Sequence, residues 1–275
     1  MMTVCLSAGL GNQMFQYAFG RSVSLARGED VLFTRDRFDI PDSIRCYALD
    51  AFKVPIKFAP GLQDPIYWEN PYSFNPRVYT VGNGMSFDGQ WQTEKYFDAP
   101  TVRKAFALPH LEHCLGEKSY AVAADILRCG ESSAFLHVRR TDYLEGLNPG
   151  HHGNMSIEYY RSAIARIKEE IKGVKFFVFS DDPEWCRQAF PEFRTVDHNR
   201  PGGRYFGSDV TGREHEDIWL MSLCRHAVIA NSTFSWWGAW LGDDRPGRIV
   251  IAPDRWFSQT SLDYKDIVPE RWTKI

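Results

Sequence analysis

No stretch of this 275-residue chain holds the ~20 consecutive apolar residues that a membrane span requires, and its start, Met1-Met2-Thr3-Val4-Cys5-Leu6, runs directly into a strand-like segment. The expectation is a cytoplasmic protein without a transmembrane segment; peripheral membrane association stays open. A surplus of charge is missing too. With 32 Lys and Arg against 35 Asp and Glu, the net charge of -3 provides no field to draw in nucleic acid. No polynucleotide partner is expected, and any phosphate must be recognised by a few placed arginines. The six cysteines (Cys5, Cys46, Cys114, Cys129, Cys186, Cys224) include no C-x-x-C pair and lie near no histidine cluster. That pattern speaks against a metal site or a disulfide framework and reads as reduced, mostly buried thiols. Internal repeats and low-complexity tracts are absent. The dinucleotide fingerprint G-x-G-x-x-G lacks its third glycine: after Gly9-Leu10-Gly11 comes Met14, although Asp36 lies at a passable distance downstream.

What is present fills real cores: 44% of residues are hydrophobic and 15% aromatic, enough for two compact lobes. The first unit reads as a strand over Thr3 to Leu6, a glycine turn, a helix from about Gln13 to Ala26 and a strand at Val31-Leu32-Phe33 after the Gly28 stop. From Arg35 to about Pro100 the text breaks into short pieces rich in Pro, Asn and aromatic residues, and neither helical nor strand period is sustained. The second half is regular. Strand Ala134 to Val138 precedes the cap Ser156 and a helix with Ile157, Tyr160, Ile164, Ile167 and Ile171 at helical spacing, closed by Gly173. Strand Lys175 to Phe179 precedes the cap Asp182 and Pro183 at the first helical position. A helix over Glu214 to Cys224, strand Ala227 to Ala230, a helix over Trp236 to Leu241 and strand Arg248 to Ile251 complete the pattern. Strands alternating with helices predict an α/β fold with a parallel, doubly wound sheet.

Three of those strands end in chemistry. His137-Val138-Arg139-Arg140-Thr141-Asp142 puts two arginines at the end of a buried strand. A guanidinium keeps its charge and grips phosphate with a planar fork, and open α/β sheets bind ligands at that edge, although R-R-x-D reads equally as a structural ion pair. In Phe179-Ser180-Asp181-Asp182, capping accounts for Asp182. Asp181 is left to accept from guanine or ribose, or to be a solvated loop acid. Asn231-Ser232-Thr233-Phe234-Ser235 opens a Trp-rich helix and offers a phosphate cradle of backbone N–H groups and hydroxyls; the alternative is an N-cap before a packing helix. Asn231-Ser232-Thr233 also fits the N-glycosylation sequon, which carries no weight in a cytosolic chain. At the other end of the chain, Gly11, Asn12 and Gln13 stand where a helix start can approach a ligand, and the amides of Asn12 to Gln16 read as sugar or pyrophosphate partners. Arg, Asp and Asn-Ser-Thr at three strand ends suit a nucleoside diphosphate.

The segments Gly9 to Tyr17, His137 to Asp142, Phe179 to Asp182 and Asn231 to Trp240 together resemble the family 11 glycosyltransferases, the α-1,2-fucosyltransferases, in their bacterial type. Trp91 to Phe97 and Gly153 after His152 also sit where the family carries similar text, and Thr141 departs from the Gly of many bacterial members. The resemblance implies a GT-B-like fold of two Rossmann-like lobes facing a central cleft, with residues 1–128 on the acceptor side and residues 129–275 holding GDP-β-L-fucose. It implies inverting, metal-independent transfer of L-fucose to the 2-hydroxyl of a terminal β-galactoside, with no cofactor beyond the donor, as in O-antigen or oligosaccharide biosynthesis. Carried over by residue, Arg139 binds the β-phosphate, His137 lies against the guanosine and Asp142 holds the arginines. Ser232, Thr233 and Phe234 touch phosphate and nucleoside, and Asp217 reads guanine alongside or instead of Asp181. His152 is the candidate general base, with Asp142 and Glu145 as alternatives, or no strong base is needed. Two competing expectations remain: an NAD(P)-dependent oxidoreductase built on Gly9 and Gly11, and a non-catalytic sugar-binding protein using the aromatic middle segment as a stacking platform.

Overall fold

The computed structural model describes the chain except for residues 41–44, 71, 141–152, 200–212 and 260. It divides into two compact units: Met1–Phe106 with Ser261–Pro269, and Ala107–Thr260 with Glu270–Ile275. The expected division after residue 128 is therefore corrected. The helix Glu117–Cys129 packs on the second unit's sheet and helices, and the return segment 261–269 is tied into the first unit. There Asp266 accepts from the Phe74 N–H at 2.8 Å and from Lys95 Nζ at 2.6 Å.

The first unit is built on β1 (Met2–Cys5), α1 (Leu10–Arg27), β2 (Val31–Thr34), β3 (Ile66–Trp68), β4 (Ser86–Asp88) and α2 (Ala99–Phe106). Its strands run parallel in the order β2-β1-β4-β3, so the strand order reverses between β1 and β4. Helix α1 stops where Gly28 adopts φ 63 and its N–H bonds back to Leu25 O. Close approach of α1 to the sheet is made at Gly20, where a Cβ would stand 2.9 Å from Phe33 Cε1. The helix–strand contact that the third fingerprint glycine provides in dinucleotide folds is thus made elsewhere. Part of the aromatic text of residues 67–97 is core, while Trp68 stands 64% exposed. Trp91 stacks on Phe19 with ring centroids 3.9 Å apart, and Phe87 and Tyr96 meet Phe19 edge-on. All of these are buried, which removes them from any sugar-stacking surface.

The second unit comprises α3 (Leu111–Cys114), α4 (Glu117–Cys129), β5 (Ser133–Val138), α5 (Ile157–Glu170), β6 (Lys175–Ser180), α6 (Pro183–Ala189), β7 (Arg194–Val196), α7 (Glu214–Leu223), β8 (His226–Val228), α8 (Thr233–Leu241), β9 (Val250–Ala252) and β10 (Thr273–Lys274). All neighbours pair in parallel in the order β10-β9-β8-β5-β6-β7, the doubly wound Rossmann order with its reversal between β5 and β8. Ala134, Leu136 and Val138 point to one face, where Tyr160, Ala163, Ile164 and Ile167 of α5 cover them. Ser156 caps α5 by accepting from the Tyr159 N–H at 3.2 Å. The opposite face is covered by the Trp-rich α8, which packs on α7 so tightly that a Cβ on Gly238 would lie 2.7 Å from Met221 Cβ. Two parallel-sheet units of Rossmann type are what a GT-B-like α/β chain requires, and the chain builds both.

Candidate functional site

Parallel pairing of β8, β5 and β6 brings their carboxyl ends side by side, and ligands of open α/β sheets sit at this edge where the strand order reverses. β5 delivers Arg139 and Arg140, β6 delivers Asp181 and Asp182, and β8 leads through Asn231 and Ser232 into α8.

Arg139 is 7% exposed, and its Nε lies 3.2 Å from Oδ2 of Asp181, a carboxylate whose side chain is 0% exposed. Oδ1 of the same acid accepts the Arg140 N–H at 2.9 Å. Asp181 is thereby corrected: it holds the arginine segment in place, the duty expected of Asp142, instead of presenting its oxygens to guanine. A fully desolvated carboxylate needs such a partner, and the arginine gains a fixed orientation in return. Asp182 performs two tasks, accepting the Trp185 N–H at 3.1 Å as the cap of α6 and pairing with Arg140 Nε at 3.2 Å. The Arg140 guanidinium lies 4.0 Å over the Trp185 ring, a contact that nothing in the local text announced.

Across the reversal point, the buried His137 on β5 and Phe234 in the first turn of α8 approach with ring centroids 5.8 Å apart, so β5 and the start of α8 share one rim. The segment entering α8 is rigidly held: the Tyr159 hydroxyl donates to Ile229 O at 2.7 Å, and burial raises that hydroxyl well above its ordinary pKa. Asn231 uses its Nδ2 on Gly153 O at 3.1 Å and Trp256 O at 3.0 Å. Its expected ligand contact is corrected to a loop-pinning role, because a buried amide spent on two carbonyls has no donor left for phosphate. Ser232 stands at the N-cap of α8 without a side-chain cap bond, the first turn carries no acid, and Thr233 is half-buried. Such a helix start favours an anion. The Ser235 hydroxyl turns inward to Ser232 O at 3.2 Å.

Asp217, buried in the first turn of α7, accepts from Asn199 Nδ2 at 2.8 Å; Asn199 Nδ2 lies 3.2 Å from Ser119 Oγ, which meets His198 Nε2 at 2.8 Å. Burial lowers the His198 pKa. Both acids offered for guanine are therefore hydrogen-bonded within the protein. Asp142, Glu145 and His152, together with Thr141, lie outside the described residues.

In the first unit, α1 starts at Leu10, three residues earlier than its expected start, so Gly11 belongs to the helix's first turn and Gly9 is its N-cap. Asn12 is half-buried and accepts from Gln92 Nε2 at 3.1 Å, joining the start of α1 to the segment after β4. Gln13 is corrected: it is buried, donates to Ala8 O and Cys46 O at 2.9 Å each and accepts the Ala48 N–H at 2.9 Å. Gln16 is likewise consumed by Ser7 and Gly89. Both amides close loops of their own unit. Among the described residues no helix is long and apolar enough to cross a membrane.

The model of "Glycosyl transferase family 11" matches residues 101–275. An alpha-1,2-colitosyltransferase of Escherichia coli is 31% identical over 98% of this chain and 97% of its own length. The O-antigen biosynthesis glycosyltransferase WbnK of the same organism is 28% identical over 94% of this chain and 95% of its own. The galactoside 2-alpha-L-fucosyltransferase Sec1 of Mus musculus is 26% identical over 88% of this chain and 64% of its own. Among solved structures, the NodZ alpha-1,6-fucosyltransferase soaked with GDP-fucose aligns at TM-score 0.46 and 14% identity, covering 87% of this chain and 92% of that one. The family match spans every strand that carries the arginine, acid and helix-start rim, and with a bacterial relative matching end to end it makes this chain a member of glycosyl transferase family 11.

Proposed function

We propose that this glycosyltransferase moves L-fucose from GDP-β-L-fucose to the 2-hydroxyl of a terminal β-galactoside, with inversion and without a metal ion. The observation that carries the reading is Arg139, fixed by the buried Asp181 at the reversal point of the sheet beside the acid-free start of α8. As the sugar departs, negative charge grows on the β-phosphate of GDP. A guanidinium already held in position and the first-turn N–H groups at Thr233 and Phe234 meet that charge without reorganising, the kind of contact whose loss costs roughly 10²–10³ in rate. His137 and Phe234 form the nucleoside side of the pocket, with Ser232 and Thr233 on the phosphate side. His152 is the candidate proton acceptor, with Asp142 and Glu145 as alternatives. Within the first unit, Asn12 and Gln92 join the helix start to the β4 end, and Trp68, 64% exposed at the carboxyl end of β3, offers an aromatic face suited to a galactoside.

A second reading concerns the donor alone. The bacterial relative matching over 98% of this chain is a colitosyltransferase, and colitose is fucose without its 3-hydroxyl. A site that hydrogen-bonds a hydroxyl rejects the sugar lacking it strongly, whereas an apolar site discriminates weakly. Incubation with GDP-fucose and GDP-colitose, in chelator, against a panel of galactosides, followed by linkage analysis of the product, tests the proposal. An α-1,2-linked product from GDP-fucose is expected. Transfer from GDP-colitose alone replaces the donor, and stabilisation by nicotinamide cofactor with indifference to GDP overturns the whole reading.

A further inference from the structure

At the amino edge of the second unit's sheet, opposite the strand ends that carry Arg139, three arginines converge: Arg225 just before β8, and Arg245 and Arg248 in the turn before β9. Two are accounted for. Arg245 closes the end of α7, donating from Nη1 to Leu223 O at 3.1 Å, from Nη2 to Ser222 O at 2.5 Å and Cys224 O at 2.9 Å, and from Nε to Gly242 O at 3.1 Å. Arg225 donates to Pro246 O, and its Nε lies 2.8 Å from Oε2 of Glu131, an acid that is 82% exposed.

Arg248 differs from both. All three of its guanidinium nitrogens are cut off from solvent, and none has a hydrogen-bond partner among the described residues. A Cβ on Gly242 would run into Nη1 of Arg248 and Nη2 of Arg245 alike, so the two like charges share one small space. The acids nearby offset them only in part: Asp243 attracts Arg248 and Asp244 attracts Arg245 through space, but Asp243 is bonded to Arg271 Nε at 2.5 Å and Trp272 Nε1 at 2.8 Å, and Glu131 pairs with Arg225. His226 adds nothing negative, since its Nδ1 accepts the Ile249 N–H at 3.1 Å and burial lowers its pKa, which keeps it neutral. The carboxyl ends of α7 and α8 approach the cluster, but helix dipoles offset only a fraction of the cost of desolvating a full charge. Arginine does not escape that cost by losing its proton. Burial, and then Arg245, push Arg248 down to about 9, which still leaves it charged at neutral pH.

We propose that Arg248, with Arg225 and Arg245 as neighbours, holds a small tetrahedral oxyanion of the inorganic phosphate type at this edge, at a site separate from the nucleotide rim. Enclosure of the nitrogens selects a free ion over a bulky phosphorylated group. The inference does not depend on the donor sugar.

The test is a thermal melt of the full chain saturated with GDP, with phosphate replacing chloride at constant ionic strength. At a hundredfold excess over the dissociation constant, the folded-to-unfolded ratio should rise about a hundredfold. Arg248→Gln should lose the phosphate dependence, and Arg139→Ala should keep it. No phosphate effect in the wild type, or an equal effect in Arg248→Gln, overturns the proposal. Should that variant fail to fold, calorimetric titration of the GDP-bound wild type with phosphate decides: one phosphate per chain supports the site, and none overturns it.

Discussion

Replacing Arg139 by Met separates two duties that the structure gives this residue. Asp181 has a side chain with no exposure at all, and the Arg139 guanidinium is its counter-charge at 3.2 Å. Removing one partner of a buried pair leaves the other charge uncompensated, at a cost of about 3–5 kcal/mol. The Arg140 N–H, still 2.9 Å from Oδ1, holds the loss toward the lower end of that range. At roughly 2–4 °C per kcal/mol for a unit of this size, the melting temperature should fall by about 6–20 °C. Adding Asp181→Asn to the Met variant removes the stranded charge, and most of the lost stability should return. Activity should not return, because the charge meant for the leaving phosphate is still missing. The assay pairs a thermal melt with a transfer rate for wild type, Arg139→Met and the double variant. A single variant that melts with the wild type refutes the buried-pair reasoning, and a double variant that transfers sugar at the wild-type rate refutes the role of Arg139.

Introducing a side chain at Gly238 should force α8 off Met221: Gly238→Val is expected to lower the urea midpoint, with overpacking costing about 1–3 kcal/mol. Glu69 accepts backbone N–H groups of Gln90 and Trp91, yet burial outweighs them and pushes its pKa up to about 7. A carboxyl with a raised folded-state pKa binds more protons folded than unfolded. Stability should therefore fall as pH rises from about 4.5 to about 7 and level off above, and Glu69→Gln should flatten that slope in pH-dependent denaturation. Trp68→Ala should raise the KM for the galactoside several-fold while leaving the melting temperature and GDP affinity unchanged, since the ring is mostly outside the core; an unaltered KM removes Trp68 from the acceptor site.

Much of the second unit was legible because its signals are local. The apolar runs of β5 and β6 and the caps Ser156 and Asp182 act within a few residues, as Gly28 does in the first unit, and each stands where the text placed it. Partners far apart in the chain were not legible. Asp181 and Arg139 meet only because β5 and β6 pair in register, with His137 opposite Phe179, so which acid steadies the arginine could not be read from the adjacent Asp142. β3 and β4 are three residues each, too short for a periodic signal; β4 exists through parallel pairing with β1, and β3 through parallel pairing with β4. The amides of Gln13 and Gln16 resembled ligand donors because their carbonyl partners arrive from Cys46 and Gly89, tens of residues away. Helix α4 precedes the expected boundary yet belongs to the second unit, where Gly116 at its start donates to Glu216 at 3.2 Å.

The claim at the centre is that Arg139 receives the β-phosphate of a guanosine diphosphate at the β5–β8 reversal. Calorimetric titration of wild type and the Arg139→Met, Asp181→Asn double variant with GDP and with GMP, in chelator, addresses it most directly. The wild type should bind GDP much more tightly than GMP, and the double variant should lose that preference while keeping its GMP affinity. A double variant that still prefers GDP to the wild-type extent contradicts the account.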